Sequence, residues 1–346
     1  MQVNQGGVQM KRMFAIFMVI AFSVIGLSVS AYAEKDIDLT WVGGGTGGIS
    51  YHQGAALSGY LSKKASKYKI SVQSSSGAIE MMRLLGKKEI ELSVTVGSEV
   101  EDVWFGNKPF KRAYPNVRSL GVAFLAPLNW VTTKDENIQK ISDLKGKTMS
   151  PGPIGSSGAN SINRMFTFLG IKDQVKLNYL PYAESARALK QGHIDLYNVF
   201  GVPPHAVISE TFATVPNATL FDFGNELEES GFYKKFQGYV PVILKAGSYP
   251  GIDKPVKTYG TTYIFMCRED LPEKIAYEIT RILYTDDFLV YAQKVIEGPF
   301  KLQEELKKTG NPTAGTGVPL HPGAERAFKE MGFKILSPSV ADMQNR

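Results

Sequence analysis

From Asp36 onward the chain alternates short strand-like hydrophobic runs with stretches whose apolar positions recur at helical spacing, the pattern of a sheet covered by helices. "DIDLTWV" predicts a first strand, and Tyr51 to Ala65 then places Ala56, Leu57, Tyr60 and Leu61 on one helical face. "YKISVQ" predicts a second strand, followed by Ser74-Ser75-Ser76-Gly77 and a helix from Ala78 to Leu85 that Gly86 ends. "ELSVTV" predicts a third strand, leading into a helix from Ser98 to Phe105. A second set follows "YPNVRSLGVAFLAPLNWVTT", whose two apolar runs flank Pro127 and carry the chain from one domain to the next. In that set "ISDLKGKTMS" predicts a short helix and a strand, "VKLNYL" and "IDLYNVF" predict strands, and "GANSINRMFTFLG", "SARALKQG" and "PPHAVISETF" predict helices. The last third holds the strand-like runs "YVPVIL" and "TTYIFMC", long helical stretches over Pro272 to Tyr284 and Asp286 to Lys308, and a final helix from Gly323 to Met331.

Three loops stand out against this pattern. "WVGGGTGGISY" satisfies G-x-G-x-x-G at Gly43, Gly45 and Gly48, after a strand and before a helix, as a dinucleotide fingerprint requires. The ribose-binding acid expected about 20 residues on has no counterpart, since neither Asp nor Glu occurs between Gly48 and Ile79. What survives is the physical content: glycines let the backbone approach a ligand, and the following helix offers unpaired N–H groups at its positive end. "QSSSGA" and "GSSGAN" repeat the arrangement with hydroxyl-bearing residues. Ser76 and Ser157 read either as helix caps or as ligand donors. Three such loops from two sets converge only if the carboxyl ends of two sheets face one another across a cleft, a setting suited to an anion such as a carboxylate.

Composition narrows the setting. At 346 residues, 43% hydrophobic and 21% charged, the chain exceeds the usual size of one domain, so two are expected. Lys11 and Arg12 precede an apolar run from Met13 to Leu27 and then Ala31-Tyr32-Ala33, which predicts a secretory signal cleaved near Ala33 and a periplasmic mature protein. Residues 1–33 carry two bases and no acid, so the net charge of +6 falls to +4. That excess is small, and no aromatic residues alternate with charges as a stacking platform would require; nucleic acid is not expected as a partner. The single cysteine, Cys267, permits no intramolecular disulfide and reads as a buried strand residue. His52, His193, His205 and His321 lack metal-ligand spacing, and His193 and His205 read as surface or capping groups. Gly155-Ser156-Ser157-Gly158 lacks the spacing of a nucleophile elbow, so neither metal, cofactor nor catalytic triad is expected.

The ordered set "GGGTGGISYHQGAALSGYL", "SSGAIEMMRLLGKKEIELSVTVGSEV", "ISDLKGKTMSPGPIGSSGAN", "GHIDLYNVFGVPPHAVI" and "GVPLHPGAERAFKEMG" resembles the TAXI family of solute-binding proteins of TRAP transporters over nearly all of the mature chain. The sequence departs from that family's usual pattern at Ile49-Ser50-Tyr51-His52, at Met81 and at Glu99, all bordering the expected site, so ligand identity is not carried over. The resemblance implies an α/β two-lobed clamp of the periplasmic binding class, each lobe a mostly parallel sheet flanked by helices. Lobe I would comprise residues 34–127 and 239–346, and lobe II residues 128–238. It implies a non-enzymatic receptor for a small organic acid or amino acid, delivered to a TRAP membrane permease.

In lobe I, Thr46 and Gly47 would offer amide and hydroxyl donors, Ser75 and Ser76 would add more, and Tyr51 would either cover the ligand or pack its own helix. Ser98 and Glu99 would orient an ammonium or hydroxyl group, with Glu99 as a first-turn helix residue the alternative. Lobe II would contribute Ser156, Ser157 and Gly158 at a helix N-terminus, and Asn198 with Gly201 at the end of "DLYNVFG", where Asn198 also reads as a turn former. Arg164 and Arg187 lie inside expected helices and read as solvated surface. Two other functions compete: an exported hydrolase or lyase resting on Glu99 and the serines, and a sensory module for a signalling partner.

Overall fold

The computed structural model describes residues 36–46, 49–64, 67–236 and 238–345. The fold lies in the compact unit Asp38–Arg346. The expected signal segment and Gly47 lie outside the described residues. Among those described, no helix is long and apolar enough to cross a membrane.

The first set of elements is β1 (Ile37–Gly43), α1 (Ile49–Lys64), β2 (Tyr68–Ser74), α2 (Ala78–Gly86), β3 (Leu92–Val96) and α3 (Gly97–Phe105), followed by the long β4 (Val117–Thr133). Next come β5 (Thr148–Ser150), α4 (Ser157–Phe168), β6 (Lys176–Leu177), α5 (Tyr182–Lys190), β7 (Leu196–Phe200), α6 (Ala206–Thr214), β8 (Ala218–Leu220), α7 (Gly224–Glu229) and α8 (Phe232–Lys235). The last part holds β9 (Val240–Leu244), β10 (Val256–Arg268), α9 (Glu273–Leu283), α10 (Asp286–Gln293), α11 (Glu297–Thr309), α12 (Pro322–Glu330) and α13 (Val340–Gln344).

The fold is α/β, with helices flanking a sheet ordered β2-β1-β3-β10-β4-β7-β5-β6. The β1/β3 pair and the β5/β6 and β5/β7 pairs are parallel. Between them β4 and β10 run antiparallel to each other and to their outer neighbours. β3 and β7 are buried at every position, which explains their near-continuous apolar sequences. β2, at the end of the order, alternates buried and exposed residues over its first half.

The two apolar runs around Pro127 form the single strand β4, and the strand changes partner there. Residues 117–127 pair with β10, and 128–132 pair with β7. A residue without an N–H suits this change of ladder, and the Pro127 carbonyl accepts from Gly201 N at 3.1 Å. One apolar cluster joins Val42, Leu85, Trp104 and Ile264. Another joins Leu128, Trp130, Phe166, Phe200 and Tyr259. Tyr239 and Tyr259 belong to this second cluster, and Leu244, Tyr249 and Val256 pack with Val131 and Val199. Residues 239–259 thus share the core expected to end at residue 238, because β9 pairs with the first residues of β10, before β10 meets β3.

The helix expected over Asp286 to Lys308 is two helices. Pro299 could not donate to the carbonyl of Val295, and its ring would clash there, so the chain breaks and restarts with proline in the first turn of α11. Cys267 is fully buried in β10, and burial pushes its thiol pKa up.

Candidate functional site

A cleft of about 610 Å³ opens where the carboxyl ends of β3 and β7 meet the amino ends of several helices. The β1–α1 loop contributes Gly44, Gly45 and Thr46, the β2–α2 loop Ser76 and Gly77, and the β5–α4 loop Pro153, Ser156 and Ser157. The three loops singled out in the sequence therefore lie on one cavity. Ile49, Ala78, Ser157 and Tyr182, the first residues of α1, α2, α4 and α5, all line it, so several positive helix ends surround the same space. Two of the loops touch: a Cβ on Gly77 would lie 3.2 Å from the Gly155 carbonyl oxygen, and Gly77 has φ of +138°. Only glycine meets both demands.

Much of the donor capacity is already committed within the protein. Gly44 N donates to Ser50 Oγ at 2.8 Å, so Ser50, absent from the expected set, closes the glycine loop. Ser75 donates to the Gly43 carbonyl at 2.7 Å and ties the first loop to the second rather than lining the cleft. Ser76 lines the cleft, yet its N–H and hydroxyl both donate to Glu80, at 2.8 and 2.6 Å, and these bonds hold the Glu80 pKa below its ordinary value. Tyr51 is half-buried with its ring edge-on to His52, 6.2 Å between centroids, and does not line the cleft. On α1 it is Ile49 and Ser50, at the helix's first turn, that line the cleft.

Ser156 caps α4 by accepting from Ala159 N at 3.2 Å. A Cβ on Gly158 would lie 2.8 Å from Asn198 Oδ1. Asn198 is fully buried beneath this turn, with both amide atoms unpartnered among the described residues, and it does not reach the cleft surface. Gly201 packs against the His205 ring, where a Cβ would lie 2.5 Å from Cδ2.

Besides Ser50, four lining residues with polar side chains were not expected. Thr95 on β3 is buried with its hydroxyl unpartnered among the described residues. Its place near the carboxyl end of a strand was the available signal. Tyr182 starts α5, and Tyr263 comes from β10 in the last third, stacked on Phe124 with centroids 4.7 Å apart. His205 does occupy the cap position of α6, but its side chain makes no cap bond. The ring lines the cleft instead, and burial lowers its pKa, which favours the neutral form. Among the described residues no Lys or Arg lines the cleft, and no group of three or more His, Cys, Asp or Glu is placed to hold a metal.

The charge lies behind the wall, where α3 packs on α4. Ser98 donates its N–H to Thr261 Oγ1 at 3.2 Å and accepts from Arg164 at its carbonyl at 2.9 Å, so it serves this seam and not the cleft. Arg164 is not solvated surface: it pairs with Asp102 and donates to the Tyr239 hydroxyl at 3.2 Å. Helical position alone did not reveal that α3 packs over it. Arg187 is exposed, as read. Glu99 is 1% exposed and accepts from Ser157 Oγ and Asn160 Nδ2, both at 3.3 Å. Burial pushes its pKa up to about 7, against smaller lowering effects from Asn160, Arg164 and Ser157.

The family model described as NMT1-like matches residues 42–332, and the chain belongs to that family. Among solved structures it is similar to the periplasmic aliphatic sulphonate binding protein SsuA from Escherichia coli, at 15% identity, covering 90% of this chain and 97% of that one, with a TM-score of 0.47. It is also similar to a structure concerned with glutathione import via GshT and the cystine ABC importer TcyBC of Streptococcus mutans, at 15% identity, covering 76% of this chain and 96% of that one, with a TM-score of 0.49.

Proposed function

We propose that the mature chain is a non-enzymatic, extracytoplasmic solute-binding receptor that captures a small organic acid or amino acid in this cleft. The observation that carries the reading is the convergence of three small-residue loops and the amino ends of α1, α2, α4 and α5 on one cavity. A carboxylate held there would be met by N–H groups and hydroxyls instead of a cationic side chain, as helix amino ends allow. Ile49, Met81, Val96 and Phe200 would receive the apolar part of the ligand.

On this reading the molecule is a two-lobed clamp. Lobe II runs from Leu128 to about Tyr259, and the chain crosses between lobes within β4 and within β10. A ligand touching both lobes makes all its contacts only in the closed form and therefore favours closure. The TAXI-like motifs support a TRAP-type permease as the receiver of the closed clamp, and the apolar run before Ala33 supports export to the periplasm.

Thermal-shift screening of the mature protein against carboxylates and amino acids tests the reading. At a ligand concentration about 100 times Kd, the expected stabilisation is about 2.7 kcal/mol. A folded protein that responds to none of a broad panel, and that yields no small molecule by mass spectrometry after native purification, would overturn it.

A further inference from the structure

We infer that Glu99 is a positioning residue that sets the hydrogen-bonding polarity of the cleft wall through Ser157, so that the receptor takes up one proton with a carboxylate ligand. The inference rests on the carboxylate reading given above. Ser157 faces two ways: it lines the cleft, and its hydroxyl bonds the buried Glu99 carboxyl. An ionised carboxylate only accepts, so Ser157 must then spend its proton on Glu99 and turn lone pairs toward the cleft. A protonated Glu99 reverses the bond: its O–H donates to Ser157 Oγ, and the serine proton becomes free for a ligand oxygen. One proton, taken from solvent onto Glu99, thus turns a hydroxyl whose lone pairs repel a carboxylate into one that donates to it.

The groups around Glu99 leave it suited to this role. On its own helix Asp102 faces it, and from α4 come Arg164, Asn160 and Ser157. Tyr182 of α5, Tyr239 ahead of β9 and Tyr263 of β10 sense its charge. The one cation among them, Arg164, directs its bonds to Asp102, the Ser98 carbonyl and the Tyr239 hydroxyl. Glu99 keeps two neutral donors, and burial holds its proton to about pH 7.

Two measurements on the full mature chain test this. Carbon NMR of protein labelled at the glutamate side-chain carboxyl, with Glu99→Gln assigning the resonance, should show Glu99 titrating near 7; titration in the ordinary carboxylate range overturns the proposal. Calorimetry with succinate and L-glutamate as probes, in buffers of different ionisation enthalpy, should show proton uptake above that pH and an affinity falling about tenfold per pH unit. Glu99→Gln should hold affinity flat, because an amide cannot titrate, and Ser157→Ala should be weak and flat. A Glu99→Gln variant that keeps the wild-type pH profile overturns the proposal. If neither probe binds any form, the calorimetry is repeated with the acid that the broad panel returns; a panel that returns none overturns the carboxylate reading by itself, and the NMR titration still decides for or against a proton on Glu99.

Discussion

The cleft wall and the α3–α4 seam meet at Ser157, yet they are built from opposite chemistry. The wall presents hydroxyls, helix amino ends and apolar side chains, and among the described residues neither Lys nor Arg. The seam holds Glu99, Asp102 and Arg164, all largely removed from water. A charge lining the cleft would be solvated whenever the cleft stood open and would have to be desolvated at each binding event, whereas helix amides are fixed dipoles already in place. The difference teaches that charge and polarity need not be at the same spot: the wall supplies polarity, and the charged groups lie in the seam behind it.

The largest test of that division is Arg164→Ala. It leaves Asp102 and Glu99 buried without their cation, and denaturant unfolding should show a loss of about 3–5 kcal/mol; a loss confined to surface-pair size would remove the seam from the comparison.

Next is the pH dependence of stability at Glu99. Its folded pKa is raised from 4.5 to about 7, so the native state binds more protons than the unfolded chain in that window. Relative to Glu99→Gln, the wild type should therefore lose stability as pH rises from 4.5 through 7, by about 3 kcal/mol at the limit of full ionisation, and level off about a unit above 7. Equal pH profiles for the two proteins would contradict the buried, neutral Glu99.

Gly158→Ala acts on the wall side by driving a methyl group against Asn198 Oδ1 and the Pro151 carbonyl, at 2.8 and 3.1 Å. The expected cost is about 1–3 kcal/mol, with a smaller ligand-induced thermal shift than wild type.

The smallest effect on stability belongs to Thr95→Val, which removes an unpartnered buried hydroxyl. Unfolding should be nearly unchanged or slightly stabilised, while ligand-induced stabilisation should fall if Thr95 faces the ligand. A stability loss above about 1 kcal/mol would mean that the hydroxyl has an internal partner.

The legible part of this molecule follows local rules. Strand and helix alternation, the three small-residue loops and the buried Cys267 could all be read from residue order, because periodicity and backbone freedom are properties of neighbours in the chain. The errors have equally definite causes. Asp286 to Lys308 keeps helical spacing throughout, but Pro299 lies within it and proline's missing N–H makes it a boundary. Tyr51 was expected at the ligand, whereas Ile49 and Ser50 line the cleft, because helix rotation about its axis depends on which face the sheet covers.

By itself, the sequence determined the α/β element order and where the chain would expose amides beside small residues, since both depend on contacts within a few positions. Only the tertiary structure decided which of those amides stay free and which side chains become charged partners. Ser76 lost its donors to Glu80 within one turn, whereas Glu99 met Ser157 and Arg164 met Asp102 across about 60 residues of chain. Burial and pairing at such distances are set by the packing of α3 on α4, which no local pattern records.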